Sequence, residues 1–294
     1  MSKNRGGVLQ QSSAELLLIS HLLKEASDKL KKTSDSPALD AELLLAHCLK
    51  KNRTYLYTWP EASVSQSQFD CFNKLVEKRL TDYPVAYMLG KKAFWTLDLI
   101  VTPDVLIPRP ETELLVETAL DKMKNISNPT ILDLGTGSGA IALAIASERP
   151  DAKIIATDYS QRALDVAIKN AENNDLNKQV TFIKSHWFEN IEVAEFNLIV
   201  SNPPYIDPSD PYLLGTIKHE PQQALIADKA GISDIEIIIE KSTPFLKKGS
   251  WLILEHGFNQ GGQTKNLLIK KDLNNLKTLN DLNGKSRITI AMQQ

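Results

Sequence analysis

From Gln10 to Leu80 apolar residues recur every three or four positions, the period of helices packed on a shared core. In SAELLLISHLLKEASDKL the stripe is Leu16, Leu17, Leu22, Leu23 and Leu30. DSPALDAELLLAHCLK opens with Ser36, placed as an N-cap, and Pro37 at the first helical position, where its missing N–H costs nothing. QFDCFNKLVEKRL repeats the period with Phe69, Phe72, Leu75, Val76 and Leu80. No strand-like alternation precedes Tyr83, so residues 1–83 are expected to form a helical domain.

The pattern changes at Pro84. AFWTLDLIV alternates through Phe94, Leu97, Leu99 and Val101, and with DVLIP it predicts a β-hairpin connector over residues 84–108. Phe94 and Trp95 are assigned to its core. ETELLVETALDKM predicts a helix with acidic residues in its first turn, which suits the macrodipole. After Pro129 strand-like runs (TILDL, KIIAT, VTFIK, FNLIV, SWLILE) alternate with helical stretches. Residues 109–294 therefore read as an α/β domain, a mostly parallel sheet with helices on both faces. RITIAM lacks a following helix and is assigned to a sheet edge. The Pro- and Asp-rich stretch from Ile206 to Gly231 is weakly periodic, and a loop that long is expected to be functional, as lids are.

Chemistry enters at ILDLGTGSGAIALAIA. Gly135, Gly137 and Gly139 stand between a strand and a helix, where backbone approaches a ligand closely and free N–H groups receive its polar end. Asp158 ends the next strand about 20 residues on, the place of a carboxylate that binds ribose hydroxyls. The spacing is not the G-x-G-x-x-G of dinucleotide sites. Asp133 beside the turn would repel a pyrophosphate and attract a cation. That favours S-adenosylmethionine, with its sulfonium and ammonium, over a nicotinamide dinucleotide.

The second candidate is SNPPYID, directly after FNLIV. Pro203 and Pro204 donate no backbone hydrogen bonds, Asn202 offers an acceptor and Tyr205 a flat ring. The stretch stops a strand, and it also suits a planar –NH₂ group. It does not say whether that group belongs to a nucleobase or to glutamine.

Composition narrows the classes. The chain has 294 residues, 42% hydrophobic and 24% charged, with a net charge of −2. This is a globular balance without the basic excess of a nucleic-acid binder. The two cysteines, Cys48 and Cys71, are far apart and cannot make a structural zinc site, which needs about four ligands. The N-terminus shows no secretory apolar segment, and no window approaches the ~20 apolar residues of a membrane span. A cytoplasmic, metal-free protein is expected.

DLGTGSGAIA, TDYS, SNPPYID and LEHG stand in the order seen in class I S-adenosylmethionine-dependent methyltransferases, and nearly the whole chain resembles one family of them. IPRPETELLVE, the helical first domain, EPQQAL and DLNGKSRIT make that resemblance specific to the release factor glutamine methyltransferases, called HemK or PrmC. The resemblance implies a Rossmann-like catalytic domain and a first domain that docks the substrate. It implies methylation of the glutamine side-chain amide nitrogen in the Gly-Gly-Gln motif of class 1 peptide chain release factors, with S-adenosylhomocysteine as the second product. Carried over position by position, Asp133, Gly135, Thr136, Gly137, Ser138 and Gly139 hold the cofactor's methionine end. Asp158 binds the ribose, and Trp187 packs on the adenine. Asn202, Pro203, Pro204 and Tyr205 hold the glutamine; Asn202, Pro203 and Tyr205 are the catalytic set, and Asn202 also touches the cofactor. His186 stands where the family often has an acidic residue, and it is left to a loop role. The partners expected are release factors, with no nucleic acid and no membrane, for a monomeric enzyme. The alternative is an amino-directed nucleic-acid methyltransferase acting on adenine N6 or guanine N2, which shares N-P-P-Y. A binding module without catalysis is the third class. Gly261-Gly262-Gln263 repeats the modified tripeptide within this chain, and Glu255 and His256 are assigned structural roles.

Overall fold

The computed structural model describes residues 17–192, 195–214 and 216–294. Two compact units divide at Leu89 and Gly90.

In the first unit helix α1 (Ile19–Leu30) buries Ile19, Leu22, Ala26 and Leu30, spaced three and four apart on one face. It begins later than the hydrophobic stripe suggests: Leu17 lies in a turn, and Leu16 falls outside the described residues. Helix α2 (Pro37–Leu49) has Ser36 at its N-cap position, yet the Ser36 hydroxyl makes no capping bond. The Ser36 backbone N–H instead donates to the Ser34 hydroxyl, and Pro37 starts the helix without a donor to satisfy. Helix α3 (Arg53–Thr58), unmarked by any long periodic run, is nucleated by Asn52, whose side chain accepts from the Tyr55 N–H. A capping box between Ser65 and Gln68 opens helix α4 (Gln66–Arg79), and α5 (Val85–Leu89) closes the unit. Inside the core lies one ion pair, Asp40 with Arg79 at 2.7 Å, both side chains about one-tenth exposed. The Ser34 hydroxyl donates to the same Asp40 oxygen.

The second unit opens with a hairpin, β1 (Lys91–Phe94) and β2 (Leu97–Ile100). AFWTLDLIV is thus not one strand: Trp95 and Thr96 turn the chain, Trp95 with φ +55°, and DVLIP beyond it forms no strand. Phe94 and Leu99 are buried as hairpin core. Helix α6 (Glu113–Met123) follows a 3₁₀ turn at Pro110–Thr112. Then come β3 (Thr130–Leu134), α7 (Ala140–Glu148), β4 (Lys153–Asp158), α8 (Gln161–Asn173), β5 (Val180–Lys184) and β6 (Phe196–Ser201). The chain ends with α9 (Ser233–Ser242), β7 (Leu246–Glu255), α10 (Gly261–Lys270), β8 (Asn274–Asn280) and β9 (Ser286–Met292).

The sheet order is β5-β4-β3-β6-β7-β9-β8. The first five strands are parallel; β9 runs antiparallel between β7 and β8. RITIAM is therefore interior, against expectation, and the edge on its side is β8, whose polar NNLKTLN hides a strand with only half-buried leucines; β5 is the opposite edge. Apolar layers cover both faces: helices α6 and α7 pack one, α9 and α10 the other. Strand order reverses between β3 and β6, which opens a crevice at their carboxyl ends. No helix among the described residues is long and apolar enough to cross a membrane.

Asp40→Ala leaves Arg79 charged and buried without its partner. It is expected to destabilise the protein by about 3 kcal/mol, read as a lower denaturant midpoint. Asp40→Leu combined with Arg79→Leu should recover most of the loss.

Candidate active site

The glycine turn, Asp158, Trp187 and the Asn202 segment all leave the carboxyl ends of four adjacent strands, β3, β4, β5 and β6. Gly135, Gly137 and Gly139 have φ of +73°, +56° and +84°, a conformation that costs side-chain-bearing residues ~1 kcal/mol or more each. The turn is held from below and from the side. The Thr136 N–H donates to the Thr157 carbonyl at 2.8 Å, and the Thr136 hydroxyl donates to Asp133 at 2.6 Å. The Gly137 N–H donates to one Asp158 oxygen at 2.9 Å; the other accepts from Ser160 at 2.8 Å. The Trp187 ring lies against Gly135, 3.4 Å from where a Cβ would stand. Ser138 is buried, and its carbonyl accepts from Asn170.

Asn170, invisible as a site residue in the sequence, is wholly buried. Its Nδ2 donates to the Ser138 and Ile100 carbonyls and its Oδ1 accepts from the Ile100 N–H. One amide thereby fastens the hairpin to the glycine turn. Tyr159, exposed beside Asp158, sits edge-on to His186 at 5.9 Å, and His186 lies 6.1 Å from Trp187. His186 itself is exposed and paired with Glu189.

Asp133 is completely buried, and burial pushes its carboxyl up to about 7 against the opposing Thr136 hydrogen bond. One of its oxygens has no partner. Burial also raises Asp158, opposed by the N–H groups that cap it. Beside Gly137 a Cβ would meet nothing. An open glycine cradle, an under-partnered buried carboxylate and a second carboxylate with spare lone pairs fit a cofactor that is cationic at one end and carries hydroxyls at the other.

Strand β6 delivers the second half. The Ser201 hydroxyl donates to the Leu134 carbonyl at 2.7 Å and joins the ends of β6 and β3. Asn202 donates through Nδ2 to the Thr112 hydroxyl at 3.2 Å. Tyr205 donates to Glu255 at 3.3 Å, and burial raises its phenol. Asn202, Pro203 and Tyr205 line a cavity of about 630 Å³ together with Arg109, Glu111 and Arg287. Pro204 is not among its lining residues.

The described part of the stretch from Ile206 to Gly231 is tethered at several points, and Ile206, Asp210, Ala224 and Leu225 line the cavity. Ile206 pairs with Ile226, and Glu220 is buried, accepting from the Ile107 N–H at 3.0 Å and from Arg109 at 2.6 Å. IPRPETE and EPQQAL thus meet as an ion pair. Gln260 bolts the same region: its Oε1 accepts from Gly257, and its Nε2 donates to the carbonyls of Tyr205 and Gly231. Arg287 of DLNGKSRIT binds Asp281 and lies on the cavity wall. His256 is buried, which lowers its imidazole's affinity for a second proton; Nδ1 donates to the Gly257 carbonyl and Nε2 pairs with the Thr289 hydroxyl. Gly261-Gly262-Gln263 forms the first turn of α10.

Residues 21–90 match the PrmC N-terminal domain and residues 110–224 the methyltransferase small domain. The chain is 47% identical to the release factor glutamine methyltransferase of Aliivibrio fischeri, covering 94% of this chain and 97% of that one. It is 44% identical to the release factor glutamine methyltransferase of Coxiella burnetii, covering 94% and 99%. A solved T. thermophilus 16S rRNA methyltransferase in complex with AdoMet and guanosine has a similar fold, at 18% identity and a TM-score of 0.52, over 69% of this chain and 50% of that one.

Gly231 follows two further left-handed residues, Lys229 and Ala230, and a Cβ on it would stand 2.2 Å from the Tyr205 carbonyl oxygen. Gly231→Ala is expected to displace the Asn202–Tyr205 segment and cut turnover about tenfold or more. Gly249→Ala is the control: φ is also positive, but nothing lies within 4 Å. It should lose only about 1 kcal/mol of stability and keep its turnover, as melting curves and methylation rates will show.

Proposed function

The chain belongs to the release factor glutamine methyltransferase family, and from that premise we propose its reaction: transfer of a methyl group from S-adenosylmethionine to the glutamine side-chain nitrogen in the Gly-Gly-Gln motif of class 1 release factors. The observation that carries the reading is the state of Asn202. Its Nδ2 is engaged by Thr112, so its Oδ1 is the atom left to accept a hydrogen bond at a cavity walled by Pro203 and Tyr205.

An amide nitrogen is a weak nucleophile, because its lone pair is delocalised into the carbonyl. Orientation and charge stabilisation are what the protein adds. The Asn202 Oδ1 and the Pro203 carbonyl each accept one N–H of the glutamine –NH₂, which aims the nitrogen and stabilises the positive charge growing on it. Pro203 and Pro204 present no N–H to compete. Tyr205 stacks on the amide plane. Gly135, Thr136, Gly137, Ser138 and Gly139 would hold the cofactor's methionine end, with Asp133 as the carboxylate for its cationic groups. Asp158 would accept from the ribose hydroxyls, and Trp187, with Tyr159 nearby, would pack on the adenine. When bound, S-adenosylmethionine supplies a methyl group activated by a positive sulfur and departs as S-adenosylhomocysteine. The methylated amide is strongly acidic and loses its proton to water, so the reaction asks for neither a strong base nor a metal.

The helical first unit docks the release factor in this reading. The PrmC N-terminal match supports that role, as do exposed Tyr57 and Trp59 on that unit, side chains favoured at interfaces. The net charge of −2 supports a protein partner over nucleic acid. We place the reaction in the cytoplasm, where release factors meet the ribosome.

Incubation with labelled cofactor and either purified release factors or nucleic acid should label the Gly-Gly-Gln peptide, located by mass spectrometry; label on nucleic acid would point to the amino-directed alternative. Asn202→Ala is expected to lower kcat by about 10²-fold or more while cofactor affinity changes far less. An unchanged kcat would overturn the assigned role.

A further inference from the structure

NQGGQTK places one glutamine before the Gly261-Gly262 pair and one after it. The fold gives them different surroundings. Gln263 is exposed on the first turn of α10. Gln260 stands at the N-cap position of the same helix and is 7% exposed, yet its side chain makes no capping bond. It turns instead to the backbone of three segments. Its Oε1 accepts from the Gly257 N–H at 2.8 Å. Its Nε2 donates to the carbonyls of Tyr205 at 3.0 Å, Gly231 at 3.1 Å and Ala230 at 3.3 Å. Two protons are shared among three carbonyls, and one oxygen serves an N–H. A carboxylate lacks the donors for this and an ammonium lacks the acceptor.

The surroundings are shaped to that amide. A Cβ on Gly231 would stand 2.8 Å from Nε2, and a Cβ on Gly257 would stand 3.0 Å from Oε1, so two glycines leave the room it fills. Lys229, Ala230 and Gly231 have φ of +53°, +58° and +81°. Side-chain-bearing residues resist that conformation and keep it where the surroundings over-determine it. The Ala230 and Gly231 carbonyls, both held on Nε2, are such a constraint.

The segments joined in this way form two walls of one cavity. Tyr205 and Ile206 line it from the end of β6; Gly257, Phe258 and Asn259 line it from the end of β7. Gln260 is not among the lining residues, and its hydrogen bonds reach neither the glycine turn nor Asp158.

We propose that Gln260 is a positioning residue that locks these two walls together and, through the Tyr205 backbone, sets where the Asn202–Tyr205 segment meets its substrate. This rests on the glutamine-methylation reading for what the cavity holds. Gln260 acts on the substrate half of the site alone, so its loss separates turnover and substrate KM from cofactor binding.

Gln260→Met keeps the length of the side chain and removes all its hydrogen bonds. Gln260→Glu keeps an acceptor for Gly257 and loses the protons that the three carbonyls share. Both are expected to lower kcat on a release factor about tenfold or more and to raise its KM, with cofactor affinity held within about twofold. Gln263→Met, on the exposed side of the same helical turn, is the control and should keep the parent rate. The proposal is overturned if Gln260→Met or Gln260→Glu keeps kcat within about twofold, or if cofactor affinity falls as far as kcat, which is the mark of a merely structural role. Hydrogen exchange gives a readout independent of the reaction. Peptides bearing Ile206 and Gly231 should exchange faster in both Gln260 variants, while the glycine turn keeps its protection. Unchanged exchange at Ile206 and Gly231 sinks the lock even if release factors are methylated; faster exchange there, with the glycine turn unaffected, supports it even if they are not.

Discussion

The parallel pairing of β3 with β6 decides where everything else in the catalytic unit can stand. Leu134 is in register with Ser201, and the Ser201 hydroxyl donates across to the Leu134 carbonyl. The glycine turn and the Asn202 segment therefore leave the sheet at the same level, on either side of the point where strand order reverses. A slip of one residue would move one of them by about 3.3 Å and turn its side chains to the opposite face. Methyl transfer tolerates far less, because a misplacement of about 1 Å can cost 10²-fold. Burial of this register is what enforces it: Leu132, Leu134, Leu198, Ile199 and Val200 are fully enclosed.

Strands that end in an apolar interior bring polar groups where water cannot serve them, and the site is built from the way each is satisfied. Asn170 uses its amide to tie the hairpin to the glycine turn, Gln260 ties Gly257 to Tyr205, and Glu220 ties Ile107 to Arg109. Among the described residues of the site the Trp187 Nε1 and two carboxyl groups, Asp133 and Glu255, are exceptions; each carboxyl is fully buried with one oxygen unpartnered. Burying such a carboxylate in its ionised form costs several kcal/mol, and both respond by holding a proton up to about pH 7. Surface pairs such as Lys29 with Glu25 contribute well under 1 kcal/mol and offset none of this. Residues held at that cost stand beside the glycine turn and against Tyr205. An apolar side chain in either place would make a more stable protein and leave the site unpolarised.

Local sequence described the fold well wherever a residue's partners are its near neighbours in the chain. The five parallel strands contain the apolar runs that announced them; β3, β4, β6 and β7 are interior and read as apolar stretches because neighbours cover them, β5 is an edge strand, and β7 begins at Leu246, before its run. The errors share one cause. NNLKTLN is a strand that exposes half of itself at the edge, so its two leucines carry no readable alternation, and RITIAM looks like an edge only until NNLKTLN is seen to pair with it. AFWTLDLIV keeps its alternation straight through a turn, because Trp95 adopts a left-handed conformation that no glycine announces. The stretch after Ile206 lacks periodicity, so its tethers, Glu220 and the Ile206–Ile226 pairing, could not be read from the sequence either.

The candidate site was legible residue by residue: by type and spacing the glycines, Asp133 and Asp158 suggest a cationic cofactor, and Asn202 to Tyr205 suit a planar –NH₂ group, without saying whether it belongs to a nucleobase or to glutamine. Their supports did not declare themselves. Asn202 meets Thr112 across 90 positions, Tyr205 meets Glu255 across 50, and Ile107 meets Glu220 across 113. Periodicity encodes which face of an element is apolar, and spacing encodes which groups share a loop. Neither encodes which side chains from distant elements meet at the carboxyl ends of the strands. That is settled when the sheet closes, and so Thr112, Glu255 and Glu220 acquire their contacts with the site only from the tertiary structure.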